Sequence, residues 1–329
     1  MSASSPCDLA KRTLFVLAAV CSILAAAGTS RAAGVYNFTT LDDPLGVDGT
    51  AATGIYSNIV VGTYFDSTDV AHGFIYNGSS YTTLDDPLAS TSSFGLGTHV
   101  NGVYGDTIVG TYSDSSGATN GFLYNGSTFT TLDVPSAANT SVTGISGNVV
   151  VGYYDNGSGN SRGFIYDGST FTTLDDPAAE GSPTVATGIS GSTVVGYYYA
   201  GASDFAQGFI YNGSGYTTID NPLEEETFAN GISGGTIVGD FDDVALVGST
   251  HGFVYNGTTY TTLDDPLGLG STTLTGTFSG VIVGAYTGSH DIADGFIATP
   301  VPEPHFAILA LLASIALALR RRSSHNKPV

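Results

Sequence analysis

Gly73-Phe74-Ile75-Tyr76-Asn77-Gly78, with Tyr81-Thr82-Thr83-Leu84-Asp85-Asp86-Pro87 close behind it, is the stretch that decides the fold. Its Gly-Phe opening returns at Gly121, Gly163, Gly208, Gly252 and Gly295, with spacings of 48, 42, 45, 44 and 43 residues. A repeat of about 44 residues marks a modular array, in which each unit buries its apolar surface only against its neighbours. Between successive openings lie a short run such as Gly144-Ile145-Ser146 and a strongly apolar one, Val149-Val150-Val151-Gly152-Tyr153-Tyr154.

Each run is rich in β-formers and bounded by turn residues, so each unit reads as four short strands. Asn77-Gly78 recurs as Asn125-Gly126, Asn212-Gly213 and Asn256-Gly257, with Asp167-Gly168 as a variant. Such dipeptides predict a hairpin of type I′, which needs positive φ at both central residues. Proline at Asp85-Asp86-Pro87 ends the next run, because it lacks a ladder donor and keeps its predecessor extended. The apolar run has no clean alternation, as expected of a strand covered on both faces. Four antiparallel strands buried on both faces describe a blade of a β-propeller.

A glycine recurs inside the apolar run at Gly62, Gly110, Gly152, Gly196, Gly239 and Gly284. Glycine weakens a strand unless another backbone comes close, and crowding where blades converge would supply that reason. The array begins at Val35–Leu41 without its opening run and ends at Gly295–Ala298 with nothing after it. These fragments complete one unit between them. The expectation is therefore an all-β, six-bladed propeller over residues 34–299, closed by Gly295–Ala298 pairing beside Phe38–Leu41. An open solenoid with capped ends is the competing arrangement.

The two ends differ from this body. Lys11-Arg12, an apolar run from Leu14 to Ala27 and small residues at Ala32-Ala33 predict a cleavable signal peptide over residues 1–33, and hence an exported protein processed by signal peptidase. Cys7 and Cys21 both fall there, so the mature body is expected to hold no disulfide. Residues 34–299 carry 27 acidic side chains and one basic one, Arg162, a net of −26. That charge repels phosphate backbones and anionic lipid, so nucleic-acid binding is excluded, while cations, neutral sugars and basic partners remain open.

The C-terminal segment 300–329 contains Val301-Pro302-Glu303-Pro304, an apolar run from Phe306 to Leu319, and Arg320-Arg321-Arg322. It resembles the PEP-CTERM sorting signal of Gram-negative bacteria. That resemblance implies processing by exosortase and an association with exopolysaccharide, with Pro302, Glu303, Pro304, Arg320, Arg321 and Arg322 as the sorting residues. The 14-residue run 306–319 falls short of the ~20 residues of a full span. It would serve as a single marginal transmembrane helix, an inner-membrane intermediate held by its arginines on the cytoplasmic side. The repeats resemble extracellular repeats of the HAF type, on the strength of His72-Gly73-Phe74 and His251-Gly252-Phe253 with the later Gly-Ile and Val-Gly pairs. That family implies a propeller-like exported protein.

Chemistry is harder to find. His72 and His251 share a repeat position in different units, His99 and His290 lack spaced partners, and His305 and His325 belong to the tail, so no zinc site is expected. All six histidines read as exposed or at strand edges. Asp42, Asp85, Asp133, Asp175, Asp220 and Asp264 open the six Asp-x-Pro corners and read as turn acids that accept amides two residues on. The second acids, Asp43, Asp86, Asp176 and Asp265, could hold Ca²⁺, but no Asp-x-Asp-x-Asp-Gly loop is present. No Gly-x-Ser-x-Gly elbow or cysteine nucleophile occurs, and the Asn-Gly-Ser and Asn-Gly-Thr sequences are explained by turns.

Single-copy acids are more informative, because an active site breaks repeat symmetry. The fifth unit holds Glu224-Glu225-Glu226, Asp242-Asp243 and Asp240, which stands where other units have Thr63, Thr111, Tyr153, Tyr197 and Ala285. An acid inside a strand titrates anomalously if buried; exposure at a blade edge is the commoner outcome and would leave it inert. The sequence thus predicts a non-enzymatic, structural or adhesive protein of the cell surface or extracellular matrix, with no cofactor or metal and with polysaccharide or a matrix protein as partner. The alternative is a secreted glycoside hydrolase or lyase that uses the acids of the fifth unit.

Overall fold

The computed structural model describes residues 36–92, 95–155, 157, 159–201, 205–220, 226–243, 248–289 and 292–301. The expected signal peptide, the sorting residues Pro302, Glu303, Pro304, Arg320, Arg321 and Arg322, the apolar segment 306–319, and Glu224, Glu225, His290, His305 and His325 lie outside the described residues. Among the described residues no helix is long and apolar enough to cross a membrane.

The described residues form six antiparallel sheets of four strands each. Blade 1 consists of Thr50–Tyr56, Ile59–Phe65, Ala71–Tyr76 and Tyr81–Leu84, in that order from the axis outward. Blades 2 to 5 repeat the pattern from inner strands Thr98–Tyr104, Asn139–Ser146, Thr184–Ser190 and Glu226–Ser233. Blade 6 takes Thr272–Phe278, Val281–Thr287 and Ala293–Pro300 from the C-terminal end and Tyr36–Leu41 from the N-terminal end. Its closing register, Phe38↔Ala298 through Leu41↔Gly295, is the one expected. Each inner strand touches the inner strands of both neighbouring blades, including blade 6 against blade 1, so the ring is closed and the solenoid is excluded.

The second strand of each blade is buried on both faces, as Ile59–Phe65 illustrates. Over it lies the repeated phenylalanine of the third strand: Phe74, Phe122, Phe164, Phe209, Phe253 and Phe296 are all fully buried. Each such side chain contributes about 1.5–3 kcal/mol by leaving water. This packing corrects the reading of the apolar-run glycines. A Cβ on Gly62 would stand 2.7 Å from the Phe74 ring and 2.1 Å from the Ala51 carbonyl. The crowding is therefore within each blade, not between converging blades.

The Asn-Gly hairpins form, but not as type I′ turns. Gly78 has φ 96° while Asn77 keeps negative φ, and Tyr76 pairs with Tyr81 across a four-residue loop. Asn77 Oδ1 accepts the amides of Ser79 and Ser80, each at 3.0 Å, which closes the loop without a second positive φ. These hairpins and the two-residue turns between inner and second strands occupy one face of the ring, the turn face. The longer connections lie on the opposite, loop face.

Candidate functional site

Each inner strand carries a β-bulge where the sequence reads Thr-Gly or Asn-Gly. In blade 1 the register slips between Ala52 and Gly54, and the extra residue is Thr53. A bulge re-aims its side chain, here toward the next blade. Thr53 donates to Val100 O (2.6 Å), Asn101 to Val142 O (2.7 Å), Thr143 to Ala186 O (2.8 Å), Thr187 to Ala229 O (2.5 Å), Asn230 to Leu274 O (3.1 Å) and Thr275 to Ala52 O (2.7 Å). The six bonds form an unbroken belt around the axis. Beside it, Gly54, Gly102, Gly144, Gly188, Gly231 and Gly276 form a second ring; a Cβ on Gly231 would meet Thr275 O at 2.6 Å and the Gly276 Cα at 3.1 Å. This is where the blades converge, and sequence reading missed it although the Thr/Asn-Gly pair is present six times.

Belt and glycines enclose an axial cavity of about 450 Å³, open to solvent, whose wall includes Asn230, Tyr197, Phe228 and Asp240. Asp240 is 8% exposed, so the expected exposed placement at a blade edge is incorrect. Asp240 lies in a second strand, whose interior positions are all buried, and it reaches the axial cavity beside Asn230. Asn230 Nδ2 donates to Asp240 Oδ1 at 2.5 Å. Burial, opposed by this bond and reinforced by the Asp242 charge, pushes the Asp240 carboxyl up to about 7. Burial also raises the Tyr197 hydroxyl. Tyr197 and Phe228 meet edge to face with centroids 4.9 Å apart.

The symmetry is broken around Asp240. Its strand position holds Thr63, Thr111, Tyr153, Tyr197 and Ala285 in the other blades, paired across the sheet with Ala51, His99, Ser141, Val185 and Thr273. Large side chains therefore gather on the arc of blades 3 to 5, and small ones line blades 6 and 1. Of the other acids of the fifth unit, Asp242 accepts from Thr250 Oγ1 at 2.9 Å and Glu226 accepts the Ala206 amide at 3.1 Å, so both act in local structure.

The loop face shows that the acids of the Asp-x-Pro corners exchange the expected roles. It is the buried second acid that accepts the amide two residues on: Asp43 from Leu45 (3.0 Å), Asp86 from Leu88 (2.8 Å), Asp176 from Ala178 (2.9 Å) and Asp265 from Leu267 (2.9 Å). Burial raises the carboxyls of Asp86, Asp176 and Asp265, and the Oδ2 atoms of Asp176 and Asp265 are buried without a hydrogen-bond partner. In three corners the first acid instead faces the residue that precedes Gly-Phe, while Asp133 accepts the Gly121 amide and Asp220 the Thr227 hydroxyl. Asp85 lies 2.8 Å from His72 Nδ1, Asp264 lies 2.9 Å from His251 Nδ1, and Asp175 pairs with Arg162. His72 also approaches Asp66, whose carboxyl is held down at about 2, chiefly by bonds from the Thr68 hydroxyl and amide. His99 is half-buried near the axis, and burial lowers its pKa. Among the described residues no group of three or more His, Cys, Asp or Glu side chains is placed to hold a metal ion.

At the ring closure the loop face opens into a cleft of about 620 Å³ that contains Asp42, Asp294 and Tyr286. Burial first, and the Asp294 charge second, raise the Asp42 carboxyl. Val47, Leu267, Leu269 and Ile292 border this cleft with 55%, 60%, 72% and 37% of their surface exposed. It is the largest collection of exposed apolar side chains among the described residues.

No known family model matches the sequence, and no curated protein matches it. Solved structures are similar to it in chain path. The fungal lectin of Aleuria aurantia, described as a six-bladed β-propeller with a novel fucose recognition mode, is 14% identical, covering 77% of this chain and 94% of its own with a TM-score of 0.49. The β-propeller domain of the Trilobed protease from Pyrococcus furiosus, described as having an open velcro topology, is 8% identical, covering 78% and 98% with a TM-score of 0.45. Pyrococcus horikoshii acylaminoacyl peptidase is 10% identical, with 80% of this chain matched to 54% of that one and a TM-score of 0.47. At such identities these likenesses say nothing about ligand or reaction.

Proposed function

We propose that this chain is an exported propeller of the cell surface or extracellular matrix that binds exopolysaccharide through its loop face without cleaving it. In this reading exosortase sorts it through Pro302, Glu303, Pro304 and the arginines Arg320, Arg321 and Arg322, after signal peptidase has removed residues 1–33. The observation that carries the reading is the pairing of Tyr36 with Pro300. Both ends of the ring leave it side by side on the turn face. A leader and a tail attached there would leave the opposite face, with its apolar cleft and carboxylates, free for a polymer.

A glycoside hydrolase or lyase using fifth-unit acids is the rival reading. Glycoside hydrolysis ordinarily uses two carboxylates flanking the bond, and among the described residues Asp240 is the one carboxylate lining the axial cavity. Glu226 and Asp242 are engaged elsewhere. Binding is therefore favoured over turnover.

The test is fractionation of the native host with and without exosortase, together with binding of the purified body to the host's exopolysaccharide. Surface protein shortened near Pro302–Pro304 only when exosortase is present, and polymer binding lost in Leu269→Asp, are the expected results. Full-length protein in the inner membrane of both strains would replace the matrix role with that of a tethered periplasmic propeller.

A further inference from the structure

The axial cavity, lined by Ile55, Val103, Ile145, Ile189 and Ile232 as well as by the belt, differs from the loop-face cleft in what it offers a ligand. Its belt donors are already committed: the hydroxyls of Thr53, Thr143, Thr187 and Thr275 and the amide of Asn101 all donate to carbonyls of the next blade. Asn230 directs its Nδ2 to both Leu274 O and Asp240 Oδ1. What remains toward the cavity is acceptor capacity, from hydroxyl lone pairs and from Asp240 Oδ2, which has no protein donor among the described residues. A molecule seated here must therefore bring the donors.

It must also bring the charge. The body has one basic side chain from residue 34 to residue 299, Arg162, and it is paired with Asp175. Asp240 consequently has no Lys or Arg counter-cation within the ring, and a buried carboxylate is costly to ionise without one. Beside it stand the rings of Tyr197 and Phe228, a surface that attracts cations through the ring quadrupole. A hydrated Ca²⁺ would want six to eight oxygen ligands, whereas one carboxylate and two aromatic rings suit an ammonium group on a carbon skeleton. The cavity, about 450 Å³, is of small-molecule size.

We propose that the axial cavity is a binding site for a small organic ammonium ion, an amine of monosaccharide size, held by Asp240 against Tyr197 and Phe228. This site is separate from the loop-face polymer surface and stands without it. The titratable groups around Asp240 are Asp242 on its own strand and Tyr197 in the neighbouring blade. Glu226, on the inner strand, bonds the Ala206 amide, and His251, on the third strand, faces Asp264 and Asp243.

Calorimetric titration of the whole folded chain with glucosamine, and with glucose as the uncharged counterpart, tests the proposal. Glucosamine is expected to saturate one site at pH 7, where its ammonium form predominates, with at least tenfold higher affinity than glucose, and to lose at least tenfold in Asp240→Thr. That variant installs the residue found at the same place in blades 1 and 2, so it suits the fold; an unchanged melting cooperativity checks this. Tyr197→Leu should weaken glucosamine several-fold. If Asp240→Thr melts non-cooperatively, chemical-shift mapping of the unaltered chain decides instead, with glucosamine expected to perturb Tyr197, Phe228 and Asp240. Equal affinity for glucose and glucosamine, no binding of glucosamine at tens of millimolar, unchanged affinity in a folded Asp240→Thr, or perturbations confined to other residues would each overturn it.

Discussion

Two rings lie next to each other on the propeller axis and follow opposite rules. The belt of Thr53, Asn101, Thr143, Thr187, Asn230 and Thr275 varies only between two side chains that donate to the next blade. One strand further out, the ring of Thr63, Thr111, Tyr153, Tyr197, Asp240 and Ala285 has four residue types in six places. The first ring does the same work in every blade, namely closing it onto its neighbour. The second is not uniform in that work: Thr63 accepts the Val100 amide of the next blade, whereas Asp240 bonds Asn230 of its own, and an asymmetric cavity wall results. Repetition along this chain thus marks what closes the ring, and departure from it marks where one blade does something its siblings do not.

The largest expected effect comes from breaking the uniform region. Gly231→Ala would drive a methyl into Thr275 O, and Gly152→Ala would place one 1.9 Å from Ser141 O. Backbone cannot yield as a flexible side chain can, so each is expected to cost about 3 kcal/mol or more, measured by urea denaturation. The same substitution at Gly215, which no atom approaches within 4 Å, should leave stability nearly unchanged.

Asp240→Thr should act in the opposite direction and should do so with a pH signature. The folded carboxyl sits at about 7 against an ordinary value of 3.8, so between those values the folded state holds a proton the unfolded chain has lost. Stability tied to this group is therefore complete below about pH 4 and lost as pH rises through about 7. Replacing the acid is expected to raise stability by a few kcal/mol at pH 8 and to change it little at pH 4. Melting temperatures of both proteins across that range would show the curves diverging upward; parallel curves would mean that Asp240 is not titrating in this window.

A smaller loss is expected from Thr187→Val, which keeps the volume but leaves Ala229 O without its 2.5 Å donor. The cost should be about 1–2 kcal/mol, seen as a lower urea midpoint at unchanged slope. Smallest of all is Asp85→Asn on the loop face, where the His72 pair is partly exposed. Such surface pairs contribute about 0–1 kcal/mol, and that contribution should shrink further in 1 M salt.

Much of the architecture could be read from the sequence, because the evidence for it repeats. The blade count follows from the Gly-Phe openings, and the closing pair follows from a unit cut between the two ends of the array. Finer features were hidden for physical reasons. A bulge alters register without altering composition, so Thr53 and its equivalents look like ordinary strand residues until the slip between Ala52 and Gly54 is seen. Asp240 sits in the apolar run that reads as covered on both faces, so its burial accords with that run, whereas its reach to the axial cavity depends on neighbours the run does not name. An Asp-Asp doublet does not disclose which acid caps the turn and which faces His72. An Asn-Gly dipeptide fits a four-residue loop as readily as a two-residue one.

The closing blade has a mechanical consequence. Its third strand, Ala293–Pro300, is hydrogen-bonded on one side to Val281–Thr287 and on the other to Tyr36–Leu41. Pulling the two chain ends apart would concentrate load on the Tyr36–Pro300 rung and peel the edge strand away one rung at a time. Tension between Pro300 and the loop face runs along the strand instead, and both ladders share it in shear. A ring tethered by its C-terminal end and gripped from the far side is thus loaded in its resistant direction. With no force on the N-terminal end, Tyr36–Leu41 would be loaded in shear only and not unzipped rung by rung.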